Sequence, residues 1–315
     1  MIKNPPVIKR VIREMGGTIE DFIPERGCFY ANISGKRILF ARKVEITRQP
    51  FVSRELEKSK DITYNLLREN KLPTAETRCF YKRSLDKKEA LSSLESLVYP
   101  IAIKHSSGSN GKGVYLYVKS PERAYEMLIE KLPQYKYMIA QEMVHGREYR
   151  VLVLGEKVIG VIEMYAPYLI GDGVSSIAEL CQERVSSTVQ EVEINSDLES
   201  RLQEQDVNLK TILPKNERVN IKDRTADFFG WQLSTIDKDI HPGVEEICVA
   251  ASKAVGKYLV GIDVICDNIA KDPKENAFSI IEINGKPDLY IHYDPDYGKS
   301  QNVIEHIVKY LLSIA

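Results

Sequence analysis

Two apolar runs near the carboxyl end carry oxygen-rich side chains in their middles: Gly261-Ile262-Asp263-Val264 and Ile280-Ile281-Glu282-Ile283-Asn284-Gly285-Lys286-Pro287. Alternate residues of a strand point to one face. Glu282 and Asn284 are therefore expected side by side, with Ile281 and Ile283 turned to a core and Asp263 similarly placed on a neighbouring run. Two carboxylates and a carboxamide at one spot are hard oxygen donors suited to Mg²⁺, which takes few protein oxygens and keeps waters and substrate phosphates. A strand end with solvated charges is the alternative for the trio taken alone.

Upstream, a strand over 98–104 ends at Lys104 and enters the turn Ser107-Gly108-Ser109-Asn110-Gly111-Lys112-Gly113. A second strand leaves this turn, so it is a hairpin loop, not a strand-to-helix phosphate loop. Lys112 is not followed by Ser or Thr, and the Walker A pattern fails. Backbone N–H groups around Gly108, Gly111 and Gly113 can still lie over phosphates, because glycine permits close approach. Lys104 would face the same phosphates. The run Gln141-Glu142-Met143-Val144-His145-Gly146-Arg147-Glu148-Tyr149-Arg150 ends a strand in a short linker. Its backbone from Glu142 to Val144 can pair with an adenine edge, Glu148 can accept ribose hydroxyls, and Arg150 lies two residues further on the same face. A plain turn and a solvated hairpin are the bland readings of these two segments.

The elements that must position these groups are mixed. Residues 28–46 read as two strands joined at Ser34-Gly35-Lys36, and 54–70 as a helix that stops before Pro73. Ser120 caps a helix with Pro121 at its first position. Strands are expected at 138–141, 149–154 and 158–164. Gly171-Asp172-Gly173 is a tight turn, and Ser176 with Glu179 forms a capping box. The charged stretch 191–215 reads as a surface excursion with one short helix. A helix covers 242–258, and Ile304, Ile307, Val308, Leu311 and Leu312 mark one face of a final helix. Hairpins interleaved with helices predict an α+β multi-lobe protein.

Composition removes other classes. Over 315 residues, 44 basic and 45 acidic side chains give a formal net charge of −1, with no excess that asks for nucleic acid or an anionic membrane. No apolar run approaches the ~20 residues of a membrane helix, and the amino end lacks a signal-peptide core. Five cysteines, an odd number without CxxC, argue for reduced thiols in a cytoplasmic protein and against a zinc site or disulfide framework.

In order and spacing these segments resemble the ATP-grasp superfamily, and more closely the ATP-grasp module of cyanophycin synthetase and related glutathione-type and γ-glutamyl ligases. Lys60-Asp61-Ile62-Thr63 with Leu66-Leu67 and Leu72-Pro73 is similar to the family's Lys-x-x-Thr-x-x-Leu-Leu…Pro helix. Gly171-Asp172-Gly173…Ser176-Ile177-Ala178-Glu179-Leu180 is similar to its Gly-Asp-Gly…Thr-Ile-x-Glu-Leu signature, and Asp239-Ile240-His241-Pro242 and Glu282-Ile283-Asn284…Pro287…His292 also fit. The resemblance covers about residues 50 to 312. It implies an ATP-grasp fold in three parts: a shortened N-terminal (pre-ATP-grasp) lobe over 1–57, a central lobe over 58–148 with the glycine lid, and a C-terminal lobe over 149–315 with the metal and acceptor site.

The resemblance also implies roles. Lys60 and Lys104 bind ATP phosphates, the Glu142–Val144 backbone binds adenine and Glu148 the ribose. Arg150 lies near the transferred phosphate. Asp263, Glu282 and Asn284 hold two Mg²⁺ ions bridged by Glu282, with Mn²⁺ able to substitute. Lys222 and Arg224 stand where relatives carry an Arg-x-Asn pair. The implied reaction phosphorylates a carboxylate and couples it to an amine of an amino acid or small peptide; an ATP-grasp kinase and a non-catalytic ATP-binding regulatory protein are the competing readings, and a homo-oligomer such as a dimer stays open.

Two positions depart from the family pattern. Where relatives place an arginine before Gly-Asp-Gly, this chain has Glu163, expected to form an acidic wall against acidic substrates. Where they carry Pro-Gly in the acceptor loop, it has Pro287-Asp288, and Asp288 with His292 is expected to face an amine substrate.

Overall fold

In the computed structural model, residues 4–23, 28–40, 59–107, 113–166, 168–187, 192, 194–221, 232–236 and 240–314 are described. They fall into two compact units. One comprises 1–107, 115–163 and 233–315; the other comprises 108–114 and 164–232.

The first unit begins with α1 (Asn4–Glu14), followed by the antiparallel sheet of β1 (Thr18–Ile23), β2 (Cys28–Ile33) and β3 (Lys36–Phe40). Next come α2 (Lys60–Glu69), β4 (Thr77–Tyr81), α3 (Lys87–Glu95), β5 (Ile101–His105), β6 (Val114–Val118), α4 (Pro121–Tyr135) and β7 (Tyr137–Glu142). Four of these strands form a sheet in the order β4-β7-β5-β6. The chain then supplies β8 (Arg147–Leu154) and β9 (Lys157–Tyr165), and later β12 (Gln232–Thr235), α7 (Pro242–Ala254), β13 (Leu259–Cys266), β14 (Phe278–Asn284) and α8 (Val303–Ile314). Five strands form the central sheet, in the order β12-β9-β8-β13-β14. The second unit holds β10 (Tyr168–Ile170) paired antiparallel with β11 (Arg218–Asn220), plus α5 (Ile177–Ser187) and α6 (Ser196–Gln203).

Local chemistry explains most boundaries. Ser120 accepts the Arg123 N–H at 3.2 Å with Pro121 at the first helical position of α4. Ser176 and Glu179 close the expected capping box, with Glu179 accepting the Ser176 N–H at 2.8 Å. Helix α7 ends at Ala254, four residues earlier than the apolar pattern suggested. Gly256 adopts φ +67° and the Lys257 N–H reaches back to Ser252 O at 3.0 Å, a Schellman turn that stops the helix and feeds β13. Helix α2 starts at Lys60 with Ser59 extended before it; residues 54–58 of the expected helix lie outside the described set. Helices α1 and α3 and strands β1, β4, β10, β11 and β12 have no counterpart in the sequence pattern.

The central sheet separates two cores. On one face Leu152, Leu154 and Leu259 join Ile8, Val11 and Ile12 of α1 and Val303, Ile304, Ile307 and Val308 of α8. On the other, Tyr149, Val151, Val153, Ile262 and Val264 join Val244, Cys248 and Ala251 of α7 and Leu67 of α2. This alternation assigns each intervening β8 and β13 residue to a face. Truncating Ile12, which is fully buried, to Ala is expected to cost about 2–5 kcal/mol in unfolding free energy. Urea denaturation followed by circular dichroism measures it; a loss below about 1 kcal/mol would show that α1 is not part of this core.

Candidate functional site

Strand register builds the first half of the site. Asp263 of β13 stands opposite Arg150 of β8 on one side and Glu282 of β14 on the other, and Gly261 stands opposite Asn284. The register shifts between Asp263 and Val264, so that Ile281 is an extra residue on β14. This bulge leaves Ile280 and Ile283 buried in the α7-side core and Ile281 only half-buried. It also turns Glu282 and Asn284 to the face that carries Arg150 and Asp263. Arg150 grips Asp263 through two hydrogen bonds of 2.7 and 2.8 Å, and Asn284 Nδ2 donates to Asp263 Oδ2 at 3.0 Å. Both partners of the ion pair are buried. Burial disfavours the Arg150 charge, but the Asp263 carboxylate outweighs it and raises the guanidinium pKa. Gly261 leaves room here: a Cβ would lie 3.1 Å from Pro287 Cβ, a tight contact, and 3.5 Å from Arg150 Cδ, an ordinary one.

The β4-β7-β5 sheet builds the second half. Lys104 of β5 and Gln141 of β7 are diagonal cross-strand neighbours, and Lys104 Nζ donates to Gln141 Oε1 at 2.7 Å. Gln141 is buried, and its Nε2 donates at 3.0 Å to Thr77 Oγ1, whose hydroxyl donates at 2.8 Å to Ala75 O. The amide is thus fixed with its oxygen toward the lysine. Burial pushes the Lys104 pKa down to about 8, against the attraction of Glu282, Glu148 and Asp263 and with the repulsion of Lys60. Lys60 sits in the first turn of α2, anchored by its N–H on Ser106 O at 3.0 Å, and donates to Glu282 Oε1 at 3.0 Å. Lys60, Lys104, Arg150, Glu148, Asp263 and Glu282 therefore share one charge-balanced cluster.

The linker between β7 and β8 is held tightly. Gly146 adopts φ +142°, and a Cβ there would lie 2.8 Å from Cys266 O. Glu142 is committed elsewhere: its N–H bonds Glu76 O at 2.9 Å and its carboxylate accepts the Val98 N–H at 2.7 Å. Gly113 has φ +73°. Gly108, Gly111, Lys222 and Arg224, and Asp239 of the quoted motif, lie outside the described residues.

Two expectations are corrected. Glu163 is 2% exposed and both its oxygens are taken by Arg147, one of them at 2.8 Å. Arg147 and Glu163 lie with Tyr149 on the α7 face, opposite Arg150, so Glu163 is neither an unpaired acid nor part of the charge cluster. His292 is fully buried, which removes it from substrate contact. Gln301 Nε2 donates to Ile236 O, so its Oε1 takes the His292 Nδ1 proton at 2.9 Å. Burial lowers the ring pKa to about 4 and keeps it neutral. Asp288 is half-buried in the loop after β14, electrostatically coupled to Tyr290, which also feels Arg150. Gln141 lies inside the quoted hinge, but no spacing rule marks it as the partner of Lys104.

The donors suit Mg²⁺. Glu282 keeps 35% of its side chain exposed, and with Asn284 Nδ2 turned to Asp263, the Asn284 oxygen is left for a cation. Among the described residues no group of three or more His, Cys, Asp or Glu is arranged to hold a metal ion; this set has two carboxylates and completes itself with an amide.

No family model matches the chain. It is 25% identical over 298 residues to the glutathione biosynthesis bifunctional protein GshAB of Clostridium perfringens, covering 90% of this chain and 38% of that protein. It is 28% identical over 227 residues to cyanophycin synthetase of Synechocystis, covering 68% and 26%. The chain thus spans well under half the length of these curated relatives. A solved bifunctional glutathione synthetase from Pasteurella multocida superposes with a TM-score of 0.73 at 18% identity, over 100% of this chain and 45% of that one. The chain has the ATP-grasp fold. D-Alanine–D-alanine ligase from Bacillus anthracis also matches, with a TM-score of 0.53 at 12% identity over 86% of this chain and 72% of the other. The relatives are ATP-grasp ligases, which in general use ATP and Mg²⁺. Among the described residues no helix is long and apolar enough to cross a membrane.

The Lys104 pKa has a sign that can be checked. The folded value, about 8, lies below the ordinary 10.5. The unfolded chain therefore binds more protons between those values, and this group makes stability rise with pH across that window. Binding of a polyanion runs the other way, because the charge it meets disappears. Mg-ATP affinity, measured by calorimetry, is expected to fall above pH 8 by up to about tenfold per pH unit, and Lys104→Met is expected to flatten that fall. A slope unchanged in the variant would remove Lys104 from the phosphate site.

Proposed function

We propose that this chain is an ATP-dependent carboxylate–amine ligase that joins amino acids or small peptides through an amide bond, releasing ADP and phosphate. One observation carries the reading: the Arg150–Asp263–Glu282 row, with Asn284 beside it, shares a charge-balanced cluster with Lys60 and Lys104. Each cation suited to phosphate rests on a partner that such a ligand would engage or release. Lys60 is held by Glu282, Arg150 by Asp263 and Lys104 by Gln141.

In this reading Lys60 and Lys104 hold the ATP phosphates, the Glu142–Val144 backbone meets adenine and Glu148 the ribose. Gly108, Gly111 and Gly113 form the lid, and Lys222 and Arg224 add cations. Asp263, Glu282 and Asn284 would hold two Mg²⁺ ions, with Mn²⁺ able to replace them; the ions would neutralise charge on the transferred phosphoryl group. A substrate carboxylate oxygen attacks the γ-phosphorus and the bond to ADP breaks. Arg150 stabilises the charge that develops there. The amine nitrogen then attacks the acyl carbon, inorganic phosphate leaves, and the amine gives up a proton. Asp288 is placed to attract a cationic amine. The three lobes 1–57, 58–148 and 149–315 are the working parts of this proposal, in a cytoplasmic protein that acts alone or as a dimer; the five free thiols support a reducing setting.

The test is ADP release from Mg-ATP across all pairs of amino acids, with mass spectrometry of the products. ADP release is expected only when both a carboxylate and an amine are present, and the product mass should be their sum less water. A stable phosphorylated product formed without an amine would instead make the protein a kinase. Glu282→Gln is expected to lower turnover by about a hundredfold or more with an unchanged circular dichroism spectrum. Wild-type rates in that variant would remove Glu282 from the metal site.

A further inference from the structure

The segment that precedes the ATP-grasp resemblance hydrogen-bonds the loop after β14 through Asn4. Asn4, at the start of α1, is 3% exposed. Its Oδ1 accepts two backbone N–H groups, from Leu289 at 3.0 Å and Tyr290 at 3.1 Å. These residues belong to the loop that leaves β14 directly after Asn284. The loop packs beside the charged row: the space above Gly261 is shared by Pro287 Cβ and Arg150 Cδ. Tyr290 is electrostatically coupled to Asp288 and Arg150.

Both ends of the loop are fastened. At the far end the His292 N–H bonds Leu289 O at 3.2 Å, the Gln301 N–H bonds His292 O at 2.7 Å, and the His292 ring is fixed on Gln301. At the near end the fastening comes from a residue 285 positions away in sequence. Helix α1 holds Asn4 in place because Ile8, Val11 and Ile12 are buried in the same core as Leu289 and the apolar face of α8. A buried amide oxygen with two N–H donors is not easily replaced: without it, both donors lose a partner in a place water reaches poorly.

Resting on the ligase reading above, we infer that Asn4 is a positioning residue for the second substrate, and that the N-terminal lobe serves to set the loop carrying Asp288 and Tyr290 beside Arg150. The ligand class is the amine acceptor, whose positive charge Asp288 would meet. The nucleotide half of the site, built on β5, β7, β8, β13 and α2, does not depend on this bond.

The experiment compares wild type, Asn4→Ala and Asn4→Asp. Aspartate keeps an acceptor oxygen at the same place and is the rescue. Hydrogen exchange of residues 286–292 without any ligand is expected to speed up about tenfold in Asn4→Ala and to stay near wild type in Asn4→Asp. Calorimetric Mg-ATP affinity is expected to stay within about twofold in both. With the carboxylate–amine pair found by ADP release, KM for the amine should rise several-fold in Asn4→Ala while KM for ATP holds. Unchanged exchange in Asn4→Ala overturns the inference, as does equal weakening of ATP and amine. If wild type releases no ADP with any amine, the ligase reading fails and the acceptor role with it, whatever exchange shows about the fastening.

Discussion

The bidentate contact between Arg150 and Asp263 is the constraint on which the rest of the site depends. It joins β8 to β13 by side chains across directly opposed positions, inside a sheet packed on both faces. Two buried charges are tolerable only when each satisfies the other, and removal of either partner leaves an unpaired charge that costs about 3–5 kcal/mol. The pair therefore fixes more than one position. The Arg150 stem and Pro287 both pack beside Gly261, and Asn284 turns its amide N–H₂ toward Asp263. The oxygen of Asn284 and the half-exposed Glu282 carboxylate are thereby set beside the Asp263 carboxylate.

The site repeats one device on two sheets. On the central sheet a row runs Arg150, Asp263, Glu282 across three strands; on the smaller sheet a row runs Lys104, Gln141, Thr77 across three others. Lys60 links them, because the first turn of α2 is tied to the end of β5 while its ammonium reaches Glu282. Positive groups are held by partners that weaken their charge little but hold their direction. Lys104 is the exception, since burial brings its pKa close to neutrality. Such a group gains most from an arriving polyanion. The face of the sheet decides which charges take part. Arg147 and Glu163 are only a few residues from Glu148 and Arg150 in the strands, yet alternation puts them on the far side, where they neutralise each other.

What the sequence determined by itself was the set of chemical groups and their local settings. Glu282-x-Asn284 on an apolar run is legible because strand periodicity is short-range, and Ser120, Ser176 and Glu179 are legible because caps are made by neighbours three residues away. The motifs of the α2 helix, the hinge and the metal strand, read in order, gave the ATP-grasp fold, which the structural likeness bears out. Other features were decided only by tertiary structure, because they depend on which strands pair and in what register. The bulge at Ile281, the seat of Gln141 under Lys104, the neutralisation of Glu163 and the burial of His292 behind Gly160 and Gln301 all arise between segments far apart in the chain. The bond from Asn4 to Leu289 and Tyr290 spans nearly the whole sequence and carries no local signature. A residue type announces what it can bond to; only packing decides which partner reaches it before water does.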